Sequence, residues 1–180
     1  MIRPSHGKTI KFFFLTSAGI RFLKRNRLLS KAMRALKYGI TRAKHDLAKF
    51  IHTYWARDTS EMINSTISLL FKNVYNNPRR MFRIAIGSNV DYAKYVYKMM
   101  DVHWTNPKTF YIQGKFIEST TEKARQLLRR RIRSELTKEG FGWMFGRGKL
   151  PKEIPIYDLN KKILRYIPQY RGSKKILQWV

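Results

Sequence analysis

Residues 83–100 read RIAIGSNVDYAKYVYKMM, and the fold turns on how this stretch is read. Ile84 and Ile86 alternate with Arg83 and Ala85, the period of a strand with one buried face. The alternation stops at Gly87-Ser88-Asn89, residues that favour turns. It restarts with Tyr92 and Tyr95 at helical spacing, so the local prediction is strand, turn, helix. Upstream, Ile67, Leu69 and Phe71 alternate with Ser68 and Lys72, and Tyr75-Asn-Asn-Pro-Arg79 follows as a turn. Two period-2 runs about such a turn predict a β-hairpin with one face buried. Residues 58–66 (DTSEMINST) read as a short helix, with Asp58, Thr59 or Ser60 as N-cap.

A sheet of this kind needs helices to cover it, and two are legible. Leu29, Met33, Leu36, Ile40, Ala43, Leu47, Phe50 and Tyr54 recur at alternating spacings of four and three. That places them on one stripe of a single long helix. Gly39 lies inside it and weakens it by about 1 kcal/mol. Arg34, Lys37, Arg42, Lys44 and Lys49 lie off the stripe and predict a basic outer surface. The same heptad pattern fits either packing on the chain's own sheet or a coiled coil; packing is the expected reading. A second helix is predicted from Phe116 to Leu136, with Ile117, Ala124, Leu128, Ile132 and Leu136 on its apolar side. Lys123, Arg125, Arg129, Arg130, Arg131 and Arg133 fall within eleven of its residues, and most of them must face away from the core. Between the opening stretch and this helix, residues 101–109 read as a loop and residues 110–112 as a weak third strand.

The expected class is therefore α+β, with a long amphipathic helix and a second basic helix packed on a small antiparallel sheet. The expected division is an N-terminal arm over 1–20, an α+β domain over 21–139 and a basic C-terminal arm over 140–180. After Glu139 the chain mixes Gly with aromatics (GFGWMFGRGK), and Pro151 and Pro155 interrupt it. Leu159, Ile163, Leu164 and Ile167 form a short amphipathic segment, and the tail RGSKKILQWV suits an arm ordered by a neighbouring subunit.

Composition sets limits on function. The 180 residues carry 38 Lys+Arg against 11 Asp+Glu, a net charge of +27, with 43% hydrophobic residues. The apolar share argues against disorder. The charge predicts an anionic partner or an acidic neighbouring protein, nucleic acid first and a membrane surface second, since such a surface repels its own copies. By thirds the net charge is +12, +4 and +11, so the two ends carry most of it. The chain lacks Cys, which removes disulfides, thiolate metal sites and cysteine nucleophiles. No run reaches the roughly 18 apolar residues of a membrane span, so no membrane is expected as a partner. The basic and apolar start, free of acidic residues before Asp46, shares features with a signal peptide or mitochondrial presequence. Neither is the expected reading, because the patch lacks a cleavage pattern and the next helix continues the fold.

The sequence carries no recognisable catalytic constellation. His45 and His52 are seven apart on one helix, whereas helical zinc motifs place ligands three or four apart. The carboxylates form no cluster of the kind that holds a nuclease's metals. GWMFGRGKL departs from a phosphate loop: five residues separate Gly142 from Gly148, and Leu150 stands where Ser/Thr would hold magnesium. No enzyme activity, metal or cofactor is expected. Backbone-level attraction to DNA is consistent with the composition, whereas base-specific readout has no sequence support.

The order of these elements, with four short motifs, resembles the head–tail joining and tail-completion (neck) proteins of tailed double-stranded DNA phages. Asp58-Thr-Ser-Glu-Met-Ile-Asn-Ser-Thr-Ile67 stands where that family has a stretch like TG-x-L-x-x-S-I, matching at Ser65 and Ile67 and lacking the Gly. Ile84-Ala-Ile-Gly87 then fits the family's Gly-ended strand. Tyr92-Ala-Lys-Tyr-Val96 fits its Tyr-Ala-x-x-Val, with Tyr97 in place of Glu and Met99 in place of Gly. Gly114-Lys-Phe-Ile117 fills the place of its Phe-led helix start. The resemblance covers residues 25–137. It implies a non-enzymatic virion protein, forming a homo-oligomeric ring with portal, neck or tail proteins around the DNA channel. Arg34, Lys37, Arg42, Lys44, Lys49, Arg125, Arg129, Arg130, Arg131 and Arg133 are then the candidate contacts to DNA or an acidic neighbour. A free basic nucleic-acid-binding protein, ribosome-associated or nucleoid-like, is the alternative.

Overall fold

The structure is a computed structural model of the chain, and it describes residues 4–55, 60–72, 81–97, 115–145, 153–157, 162–168 and 176–179. The elements run β1 (His6–Leu15), α1 (Ser17–Arg25), α2 (Leu29–Tyr54), α3 (Ser60–Lys72), β2 (Met81–Ser88), α4 (Ala93–Val96) and α5 (Phe116–Lys138). A 3-10 helix at Gly142–Phe145 follows, then β3 (Glu153–Tyr157), β4 (Ile163–Pro168) and β5 (Leu177–Trp179). The class is α+β, as expected. One sheet has the strand order β2-β1-β5, and β3 and β4 form a second, two-stranded sheet. The chain divides into two compact units, Met1–Phe12 with Thr41–Arg129, and Phe13–Ile40 with Arg130–Val180.

In the first unit, β2 is buried on both faces: Phe82, Ile84, Ala85 and Ile86 are all below 5% exposed. The hairpin expected upstream of it is not formed. Residues 60–72 are helix α3, whose buried Met62, Ile63, Thr66, Leu69 and Leu70 follow helical spacing. The alternation at Ile67, Leu69 and Phe71 was a five-residue fragment of a 3.6-residue period, and Ile67 and Phe71 are half-buried. The turn at 75–79 and the strand expected at 110–112 lie outside the described residues.

The neighbour of β2 in its sheet is β1, drawn from the segment expected to be a free arm. Ile10 and Phe12 are buried there, so the apolar patch near the N-terminus belongs to the core. The two strands approach at Gly7 and Gly87, with φ of +142° and +147°. A Cβ on Gly87 would lie 2.1 Å from the His6 carbonyl oxygen and 2.6 Å from Gly7 Cα. The Gly-Ser-Asn turn of the opening stretch is tied down from three sides. Asn89 Oδ1 accepts from Ser5 N–H at 2.8 Å, Asn89 N–H donates to Ser65 Oγ on α3 at 3.0 Å, and Val90 N–H donates to Ser88 Oγ at 3.1 Å.

An aromatic hub closes this unit. Trp55, one residue past α2 and fully buried, meets Phe116 and Tyr97 edge-on at 5.7 and 5.6 Å between ring centroids. Its indole N–H donates to buried Thr120 Oγ1 at 2.9 Å. Burial pushes the Tyr97 phenol well above its ordinary value, with Thr66 and Ser88 near enough to oppose the shift in part. Among the described residues no hydrogen bond of ordinary geometry reaches the Tyr97 hydroxyl, and the Thr66 hydroxyl is committed to Met62 O at 2.8 Å.

In the second unit, Thr16 caps α1, its Oγ1 accepting from Gly19 N–H at 3.1 Å. Its own N–H donates to Ile176 O at 2.9 Å, just before β5. That strand pairs antiparallel with Phe13–Leu15, and Trp179 sits edge-on to Phe13 at 5.3 Å. Ile176 and Leu177 are 2% exposed, so the tail expected to wait for a neighbour packs on its own chain. Gly39 lies at the crossing of α2 and α5. A Cβ there would meet Ile132 Cα at 2.8 Å, so the helix tolerates the glycine in exchange for close approach. The Gly-aromatic segment after Glu139 is packed: Phe141 and Met144 are buried and Trp143 meets Phe22 at 6.1 Å. β3 and β4 pair antiparallel, with Pro155 opposite Tyr166 and Glu153 opposite Pro168. Proline brings no N–H to a ladder, which limits further pairing at these strands.

Candidate basic contact surfaces

The surfaces follow from which helical positions the core consumes. On α2 the expected bounds hold, and Leu36, Ile40, Ala43 and Leu47 are buried as expected. Ala32, Ala35 and Ile51 complete the buried face, whereas Leu29, Met33, Phe50 and Tyr54 are half-buried. A strict heptad drifts by about 20° per repeat on a straight helix, so the ends of the stripe rotate out of the core. On α5 the five expected apolar positions are all buried, joined by Phe116 and Leu127.

In the first unit, Arg42 and Lys49 on α2 and Arg125 and Arg129 on α5 are exposed. Lys44 is not. It is 6% exposed, so it is no surface contact, and burial lowers its amine to about 8. Its position off the apolar stripe suggested solvent, but the rotated buried face takes it in. Phe50 and Tyr54 stack at 4.7 Å on α2, and Lys123 of α5 lies over the Phe50 ring at 5.8 Å. Arg125 and Glu122 pair at 3.9 Å with both side chains open to water, a contact worth little. His45 meets the Phe71 ring at 4.9 Å, which gives it a packing role.

In the second unit, Arg34 and Lys37 on α2 and Arg130 and Arg133 on α5 are exposed, and Arg131 is half-buried. Lys31 pairs with Glu139 at 3.5 Å. Sequence reasoning passed over α1, whose exposed face carries Arg21, Lys24 and Arg25. The signal was available, because residues 13–40 hold seven basic residues and no acidic one. Assigning 1–20 to an arm hid it.

Lys44 carries a test. Its folded-state value lies below the unfolded one, so the unfolded chain holds the extra proton between about pH 8 and 10.5. Stability from this group therefore rises with pH across that window, and at neutral pH the full penalty is present. Lys44→Met is expected to raise the melting temperature by several degrees at pH 7. The gap between variant and parent should narrow at pH 10. A gap independent of pH removes burial of the charge as the cause.

Among the described residues, no group of three or more His, Asp or Glu side chains is placed to hold a metal ion. No helix of the described residues is long and apolar enough to cross a membrane. No family model matches the chain, and neither curated proteins nor solved structures show a detectable match to it. Each unit thus carries exposed cationic side chains on its own segments of α2 and α5.

Proposed function

We propose that the chain is a non-enzymatic virion structural protein, a connector, neck or tail-completion subunit. It forms a ring at the head–tail interface of a tailed phage, around the DNA channel. The observation that supports this reading is the position of the motif residues. Gly87 sits at the close approach of β1 and β2, Ala93 is fully buried, and Phe116 stands in the aromatic hub. These three residues of the resemblance are joints of the scaffold, not displayed reactive groups. A subunit of this kind works by presenting rigid surfaces to portal, neck or tail proteins. The exposed Arg and Lys of α2 and α5 supply contact to DNA or to acidic neighbours.

The test is assembly. The purified full chain should form closed rings of one defined copy number by mass photometry and negative-stain electron microscopy. Arg129, Arg130 and Arg133 changed together to Gln should keep the helical circular-dichroism signal and lower the ring yield; half-buried Arg131 is left in place. A chain that stays monomeric with or without DNA overturns the reading. It leaves a free nucleic-acid-binding protein in its place.

A further inference from the structure

We infer that the corner between α1 and α2 is a binding surface for the phosphate backbone of double-stranded DNA, read without regard to sequence. It consists of Arg21, Lys24, Arg25, Arg27, Arg34 and Lys37, all exposed. Arg21, Lys24 and Arg25 lie at spacings of three and four on α1, opposite the buried Gly19, Ile20 and Leu23. Arg27 is in the turn, and Arg34 and Lys37 follow on the exposed side of α2. No carboxylate occurs in residues 13–40; Glu139 reaches this stretch from beyond α5 and pairs with Lys31, which is not one of the six.

The structural explanation for such a cluster is the helix dipole, which favours cations at a helix C-terminus. It accounts for Lys24 and Arg25 in the last turn of α1 and for nothing more. That end is already served by Arg165, whose guanidinium donates to Asn26 O at 2.8 Å. Arg27 adds an independent observation. It is the one non-Gly residue with positive φ among the described residues, at 56°. Its N–H donates to Lys24 O at 2.9 Å, and the next N–H, of Leu28, donates to Leu23 O at 2.8 Å. A helix end of this form usually takes Gly or Asn, because a Cβ is disfavoured in the left-handed region. An arginine kept there at a conformational cost points to a use for its charge.

Duplex backbone fits better than single strand or base readout. Phe22 on α1 is engaged with Trp143, and Tyr38 on α2 is a single exposed ring beside Arg34 and Lys37, whereas single-strand sites stack successive bases on several rings. The one amide in the corner, Asn26, donates its side-chain N–H to Phe22 O at 2.9 Å. The choice of DNA over duplex RNA rests on the proposed place in the virion; the surface itself does not depend on ring formation.

The experiment is binding of a labelled 30-base-pair DNA by the full chain across a salt series, with two unrelated sequences. Equal affinity for both and a log–log salt slope of about −5 are expected for six phosphate contacts. Arg21, Lys24 and Arg25 changed together to Gln should reduce the slope by roughly 3 and weaken binding about a hundredfold at 0.15 M salt. A charge-matched control, Lys11, Lys72 and Lys94 changed to Gln, all exposed and outside the candidate contacts, should weaken it less than about tenfold. Arg27→Gly should raise the melting temperature by about 2–4 °C and still weaken binding. If the control triple weakens binding as much as the α1 triple, net charge and not the corner is responsible, and the inference fails. It also fails if polyglutamate competes as well as DNA at equal charge, or if duplex RNA binds more tightly. Intact rings with no DNA affinity overturn this inference and leave the assembly reading standing.

Discussion

Gly87→Ala is expected to cost about 3–5 kcal/mol and to lower the melting temperature by roughly 10–15 °C. Two causes add. The φ of +147° is a conformation that a residue with a Cβ occupies only under strain. The new methyl would also lie 2.1 Å from the His6 carbonyl oxygen and 2.6 Å from Gly7 Cα. Both obstacles are backbone, so no side chain can swing away, and the strands must separate where β1 enters the sheet. Gly7→Ala meets the Ile86 carbonyl oxygen at 2.2 Å and should behave alike. The double variant should cost far less than the sum, because the first methyl already opens the contact that the second would block. Gly142→Ala is the control: among the described residues its Cβ would meet the Thr137 side chain, nearest at the hydroxyl at 3.3 Å, and a shift within about 2 °C is expected. Thermal melts of the four proteins decide the matter. Full additivity, or a Gly87→Ala melt close to the parent, removes the close approach as the reason for these glycines.

Trp55→Ala is the second large effect, at about 3–5 kcal/mol. The indole is fully buried, so its removal leaves a cavity lined by the edges of Phe116 and Tyr97. It also leaves the Thr120 hydroxyl, itself fully buried, without the N–H that it accepts at 2.9 Å. Near-ultraviolet circular dichroism should fall with the melting temperature, since one hub ring is removed and two others, Phe116 and Tyr97, lose their fixed packing. Trp55→Phe separates the two causes by keeping most of the volume and losing the hydrogen bond, at about 1–2 kcal/mol. Adding Thr120→Val to it should recover part of that loss, because removing both partners costs less than stranding one. If the Val addition destabilises further, the hydrogen bond is not what holds the pair.

These two sites differ in how visible they were beforehand. Gly87 stood in a legible turn, and the stretch around it was read correctly as strand, turn and helix. Trp55 stood one residue beyond a stripe that named Tyr54, and the accumulated drift along α2 decided which aromatic the core received. The same drift buried Lys44 and left Phe50 half-exposed beneath Lys123. A period of four and three residues fixes that a helix has an apolar side. The edges of that side depend on the surface it meets.

By itself the sequence determined the two long helices to within two residues at each end, because an amphipathic period over 20 or more residues is a local property of the chain. It determined the cationic outer faces for the same reason. Only the tertiary structure decided what pairs with β2 and where the chain's ends go. Ser5 meets Asn89 across 84 residues, and Thr16 meets Ile176 across 160. Such pairings are selected by the backbone hydrogen bonds and shared burial they complete, and neither leaves a period in the separate segments. HGKTIKFFFL and LQW each look like loose ends until the other strands of the sheet are in place.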